Sequence, residues 1–177
     1  MFSLGYTTGI FQFESSGMNR ALRNIKPTSF NDLVAINALY RPGPMDQIDS
    51  FARRKNGLET ITYPHPSLEP ILKETYGIIV YQEQIMKILQ SFASLSLGKA
   101  DVIRRAISKK DIDKMNSFKD EFINGCVKNN YSLGISEKIW ELICKFANYG
   151  FNKAHSVAYT LLAYQMAYLK CYYPVEF

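Results

Sequence analysis

Two short stretches carry residue types suited to holding an anion. Between Lys99 and Lys110 stand Lys99, Arg104, Arg105, Lys109 and Lys110 against one carboxylate, Asp101. A planar guanidinium fork grips phosphate oxygens better than a point-charged ammonium does. Arg104 and Arg105 share a helical pattern with Val102, Ile103, Ala106 and Ile107, and Lys109 and Lys110 follow its last turn. Cations there also suit the negative end of the helix dipole, so a solvated basic face remains open beside phosphate binding.

The second stretch is Tyr149-Gly150-Phe151-Asn152-Lys153-Ala154-His155-Ser156. It lies between two helical patterns, with Gly150 ending one and Ser156 a candidate cap for the next. Backbone N–H groups at a helix start favour an anion. Lys153 adds charge, and Asn152, His155 and Ser156 add donors, which is what a triphosphate needs. An ordinary helix–helix connection with a capping serine is the plainer alternative.

A third feature, Asp111-Ile112-Asp113, has the spacing of a carboxylate pair that holds divalent metals. It follows a run of cations and opens a helix, where carboxylates complement the dipole. Other chemistries find no motif. The sequence has no G-x-S-x-G, H-E-x-x-H, G-x-x-x-x-G-K-[ST] or G-x-G-x-x-G. Its two histidines exclude a multi-histidine metal centre. Three scattered cysteines, Cys126, Cys144 and Cys171, argue against a disulfide framework and point to a reducing compartment.

The elements that must position these groups are mostly helices. Ser15 or Ser16 can cap a helix over about 17–24, and Ser29 with Asp32 resembles a capping pair before Phe30, Leu33, Val34 and Ala38. Pro42 and Pro44 stop that second helix. Residues 53–70 read as loop-rich, with Asn56-Gly57 as a turn and 59–63 alternating like a short strand. Residues 77–81 form either a second strand or the start of the helix carrying Ile85, Met86, Ile88 and Leu89. Further helices are expected at 98–107, 112–124, 136–147 and 156–171, with Ser136 and Ser156 as caps. Ile139, Leu142, Ile143 and Phe146 form an apolar stripe read as core. The expected fold is a mainly α, multi-helix domain over 1–177 with a small β-hairpin or loop-rich insertion at about 53–81.

Composition supports a folded chain. Its 177 residues are 47% hydrophobic and 14% aromatic, enough for a sizeable core. The net charge of +5 suits a polyanionic partner. The most apolar segment, Val157 to Cys171, is shorter than the roughly 20 residues of a spanning helix and is interrupted by Thr160, Gln165 and Lys170. It reads as a buried core helix of a soluble protein, with no membrane partner. The apolar ends suggest a domain excised from a longer chain.

Seven segments together give a family likeness. GIFQFESSGM (9–18), LYRPGPM (39–45), FARRKNG (51–57), TYGIIVYQEQIM (75–86), RRAISKK (104–110), YGFNKAHSVAY (149–159) and YQMAYLKCYYPVEF (164–177) occur in order. They resemble the fingers domain of bacterial C-family replicative DNA polymerases, the alpha subunits of DNA polymerase III. The sequence departs from the usual pattern at Ile107-Ser108, where Met-Gly is common, and at Ala154 and Val157, where Ser and Ala are common.

That resemblance implies a fragment of a DNA-directed DNA polymerase acting in the cytoplasm in DNA replication. Family members extend a primer on a template with deoxynucleoside triphosphates and two Mg2+ ions, which catalytic aspartates hold in a palm domain absent here. The fragment would hold no metal and would be inactive alone. By motif match, Arg104, Arg105, Lys109, Lys110, Asn152, Lys153, His155 and Ser156 would face the incoming triphosphate or nascent base pair. Tyr40, Arg41 and Arg54 would line the DNA or nucleotide side. Implied partners are primer–template DNA, deoxynucleoside triphosphates, the palm and other domains of the same chain, and replisome subunits. The alternative is a basic helical nucleic-acid-binding module without a nucleotide pocket. A third possibility is a helical domain with a merely solvated basic face.

Overall fold

The computed structural model describes residues 1–109 and 112–177. Nine helices occur among them: α1 (Ser16–Ile25), α2 (Phe30–Leu39), α3 (Ile48–Lys55), the single turn α4 (Glu69–Leu72), α5 (Gln82–Ala93), α6 (Leu97–Ser108), α7 (Ile112–Lys128), α8 (Leu133–Ala147) and α9 (Lys153–Tyr172). The chain forms two compact units, one of residues 1–61 and 151–177, the other of residues 62–150.

In the first unit, Ser15 caps α1 by accepting from the Met18 N–H at 3.2 Å. Ser29 and Asp32 form a full capping box at the start of α2. Asp32 is buried, and Lys55 lies 3.6 Å from it while also donating to the Lys26 carbonyl at 2.9 Å. A buried carboxylate is tolerated only with such partners. Helix α2 is buried on nearly every side, through Leu33, Val34, Ala35, Ile36, Ala38 and Leu39. It packs against α9, and α1 packs against α3.

In the second unit, α5 packs against α6, α7 and α8 around Ile85, Ile88, Leu89, Phe92, Ile103, Ile107, Phe122 and Trp140. Of the stripe on α8, Ile139 and Ile143 are fully buried, and Leu142 and Phe146 pack at the edge of the core. Helices α5 and α7 approach closely at Gly125, where an added Cβ would stand 2.6 Å from the Ala93 carbonyl oxygen.

Three expectations need correction. No sheet occurs among the described residues, and the hairpin expected at 53–81 is absent. Residues 48–55 instead form α3, and the Leu58 and Glu59 N–H groups both donate to the Arg53 carbonyl, at 2.8 and 3.2 Å, wrapping the next turn onto that helix. Residues 77–81 lead into α5 because buried Gln84 accepts from the Val80 and Tyr81 N–H groups at 2.8 and 3.0 Å and donates to Thr75 Oγ1 at 2.8 Å. These backbone donors are thereby taken from any strand ladder.

Secondly, α8 and α9 begin three residues earlier than expected, capped by Ser132 and Asn152. Ser136 and Ser156 sit one turn inside and are buried. Thirdly, α9 is not a buried core helix. Only a narrow stripe of small residues, Ser156, Thr160, Ala163 and Ala167, is buried, and Leu161, Leu162, Tyr164, Tyr168 and Leu169 are each about half exposed. Small side chains let α9 lie close to α2 and leave the large ones outside. No helix among the described residues is long and apolar enough to cross a membrane.

All three cysteines are free, and burial pushes the Cys126 thiol up to about 11. The close approach at Gly125 gives a direct test. Gly125→Val is expected to destabilise by about 1–3 kcal/mol through forced separation of α5 and α7. Gly134→Ala, where a Cβ meets nothing within 4 Å, is expected to change stability by less than about 1 kcal/mol. Chemical denaturation midpoints of the two variants measure the contrast.

Candidate functional site

The basic cluster belongs to the second unit. Helix α6 is capped by Ser96 and buries Ala100, Ile103, Ala106 and Ile107, which leaves Asp101, Arg104 and Arg105 on its other side. Asp101 Oδ1 accepts from Arg104 Nε at 3.0 Å and Nη2 at 2.7 Å, and its Oδ2 lies 2.9 Å from Arg105 Nη2. The Arg104 side chain is 16% exposed and that of Arg105 59%. The hydrogen bonds from Arg104, helped by the charges of both arginines, hold the Asp101 carboxyl below the usual range against the opposing effect of desolvation.

Lys109 ends the helix, donating its N–H to the Arg105 carbonyl, and its side chain is exposed. Ser108 donates to the Arg104 and Ala147 carbonyls, both at 3.0 Å, and so fixes the last turn of α6 to the end of α8. Lys110 and Asp111 lie outside the described residues. Lys99 pairs with Glu121 at 2.8 Å.

The start of α9 belongs to the first unit. Asn152 Oδ1 accepts from the His155 N–H at 2.8 Å, so the asparagine is the cap. His155 is exposed and stacks on Tyr159, with ring centroids 4.2 Å apart, and meets Phe151 edge-on at 5.4 Å. Lys153 is half-buried in the first turn. Ser156 is fully buried and donates to the Val34 carbonyl at 2.7 Å. Its hydroxyl is therefore absent from the entrance of the helix and serves instead to fix α9 against α2.

Tyr40 and Arg41 lie with His155 along a cleft of about 590 Å³, which Glu14, Phe151 and Tyr159 also line. Arg41 Nε donates to the Ala38 carbonyl at 2.8 Å, and its guanidinium lies 4.6 Å from the centre of the Phe151 ring. Burial lowers its pKa. Phe11 extends the aromatic wall by packing on Tyr159 at 5.4 Å. Arg54 is elsewhere and is held by Glu59 at 2.8 Å. Hydrogen bonding from Arg54 leads the causes that lower the Glu59 pKa. The basic run 53–55 is thus occupied locally, since Arg53 also reaches Glu59 and Lys55 reaches Asp32.

Sequence reasoning named Tyr40, Arg41 and His155 without knowing that they share a cleft. It missed Phe11, Glu14 and Tyr159 as lining residues. The four-residue spacing from His155 to Tyr159 is the signal that one face of α9 carries both. It also counted Asp101 as a charge without seeing that this carboxylate organises both arginines. Among the described residues, no group of three or more His, Cys, Asp or Glu gathers as a metal centre.

Fold and site together define a mainly helical protein segment that presents cationic and aromatic groups at helix ends. Residues 1–130 match the family described as bacterial DNA polymerase III alpha subunit finger domain, and the chain belongs to that family. It is 56% identical over 98% of its length to a DNA polymerase III subunit alpha of Halalkalibacterium halodurans, of which it covers 16%. It is 51% identical over its whole length to that of Bacillus subtilis, again covering 16%, and 54% identical over 98% to that of Campylobacter jejuni, covering 15%. The chain spans about one sixth of the length of these relatives.

The bond from Ser156 supplies a test of how α9 is held. Ser156→Ala is expected to lower stability by about 1 kcal/mol through loss of a buried hydrogen bond. Ala154→Ser, at an exposed position two residues earlier, is expected to stay within about 0.5 kcal/mol of the parent. Both values are read from denaturant unfolding curves.

Proposed function

We propose that this chain is the fingers segment of a DNA-directed DNA polymerase and that it binds the triphosphate of the incoming deoxynucleotide. The observation that carries the reading is the arginine pair on α6, with Arg104 fixed and Arg105 largely exposed on one carboxylate. Guanidinium groups held in place supply charge-assisted hydrogen bonds to phosphate oxygens, and they stabilise the charge that develops there during transfer. Lys109 adds charge at the end of α6, Lys110 is assigned with it by motif alone, and in the other unit Asn152, Lys153 and His155 are assigned to the nucleotide by motif, at a helix start whose N–H groups favour an anion. Ser156 contributes by holding that helix in place. Tyr40 and Arg41, on the aromatic cleft, are assigned to the nascent base pair or the DNA. The local pairing of Arg54 with Glu59 supports a structural role for it instead.

Nucleotidyl transfer draws on Mg2+, which neutralises phosphate charge and orients the reacting oxygens. The reading assigns the metal-holding carboxylates to a palm domain of the longer polymerase chain. Primer–template DNA, deoxynucleoside triphosphates, the neighbouring domains and the replisome subunits are the partners it implies, in a bacterial cytoplasm.

A hydrogen bond to a charged group contributes about 1.5–3 kcal/mol. In the full polymerase chain, Arg105→Ala and Lys153→Ala are each expected to raise the nucleotide KM or lower kcat about tenfold or more. Steady-state primer extension measures both, and unchanged kinetics for both variants refutes the assignment. If removing these cations instead weakens duplex binding uniformly, with a shallower salt dependence and no change in nucleotide KM, the chain is a general basic nucleic-acid-binding module.

The 177-residue segment by itself is expected to extend no primer. Extension by the purified segment, measured on a labelled primer, contradicts the division of labour proposed here.

A further inference from the structure

Arg104 and Arg105 are adjacent on a helix, so their side chains leave the axis about 100° apart. Their like charges also repel. A fork built from two such neighbours needs something that reaches both. Asp101 stands three residues before one and four before the other, the two spacings at which helical side chains meet. Each of its oxygens takes a different arginine. Oδ1 accepts two hydrogen bonds from Arg104, and Oδ2 forms an ion pair with Arg105 Nη2 at 2.9 Å. The outcome is unequal, with Arg104 mostly buried and Arg105 left 59% exposed beside it.

We propose that Asp101 is the positioning residue of this cluster, clamping Arg104 and steering Arg105 so that the pair meets the phosphates of the incoming nucleotide as a preformed fork. This rests on the triphosphate reading given under Proposed function. Preformation has a physical advantage. An arginine side chain already held by a carboxylate loses less rotamer freedom when it engages a phosphate than a freely rotating one does. The opposing view treats Asp101 as a counter-charge that weakens the attraction for phosphate. The two views differ in sign. Removing the carboxylate weakens nucleotide binding if it positions the fork, and strengthens it if it only neutralises the cluster.

The test uses the full polymerase chain with Asp101→Asn, Arg105→Ala and the double variant, reading KM and kcat for the nucleotide on a fixed primer–template, together with melting temperature. Asp101→Asn is expected to raise KM about tenfold in the parent and by a clearly smaller factor when Arg105 is already alanine, because part of its effect passes through that arginine and the rest through Arg104. Its melting temperature is expected to stay close to that of the parent, since the asparagine Oδ1 still accepts from Arg104 and leaves no donor without a partner. An equal rise in both backgrounds indicates general structural damage and overturns the proposal. A KM that falls or does not move for Asp101→Asn, while Arg105→Ala raises it, overturns the positioning role and leaves the triphosphate reading standing. If neither Arg105→Ala nor Lys153→Ala changes KM, the triphosphate reading fails and the positioning role fails with it.

Discussion

The hydrogen bond from Ser156 to the Val34 carbonyl joins residues 122 apart in sequence. It fixes the first turn of α9 on α2, the most enclosed helix of its unit. A second polar contact, from Asn37 Nδ2 to Thr160 Oγ1 at 3.4 Å, lies one turn further along the same stripe. Alanines continue that stripe at 163 and 167. With only small side chains between the helices, the backbones come close and dispersion contacts add to the two polar ones. The first unit is discontinuous in sequence, and this seam closes it. It also determines where the rest of α9 goes. With Ser156 turned inward, His155 is exposed one residue earlier and Tyr159 stands one turn later on its aromatic neighbour. The cleft that Tyr40 and Arg41 share with them follows from that rotation.

Charge is managed locally in both units. Arg53, Arg54 and Lys55 look like a basic patch in sequence, yet each has a carboxylate within 4 Å. The pair formed by Lys55 and Asp32 is buried, so the cost of removing both charges from water offsets much of their attraction. The cluster on α6 is organised differently. One carboxylate serves two guanidiniums, and the local charge stays positive. Ser108 then fixes the last turn of that helix to the end of α8. Such anchoring gives a binding group a defined place, and a rigid scaffold holds that place better than a loop does.

Much of the helical framework was legible in the residues. The Ser15 cap, the Ser29/Asp32 capping box and the stop before Pro42 are local signals acting over three or four residues, and the structure follows them. The core positions of α5 and α8 followed from their periodicity. The hairpin failed for a nonlocal reason. Residues 59–63 alternate as a strand would, but a strand needs a partner for its backbone groups. Here those of Leu58 and Glu59 turn back onto α3, and those of Val80 and Tyr81 are taken by Gln84. The caps at Ser136 and Ser156 failed because serine serves equally well one turn inside a helix, where its hydroxyl can donate to a carbonyl. Only packing distinguishes the two uses.

By itself the sequence determined the helical class, the caps and ends of several helices, the family and which residue types could meet a phosphate, because these depend on local pattern and on the chemistry of single side chains. Tertiary structure alone decided which of those residues are available. It buried Ser156, tied Arg54 to Glu59, grouped Tyr40, Arg41 and His155 on one cleft, and gave Asp101 two arginines at once. The physical reason is that exposure and pairing are set by which helix faces meet. Residues far apart in sequence compete for the same buried space and the same carboxylates, and that competition is resolved only when the chain is folded.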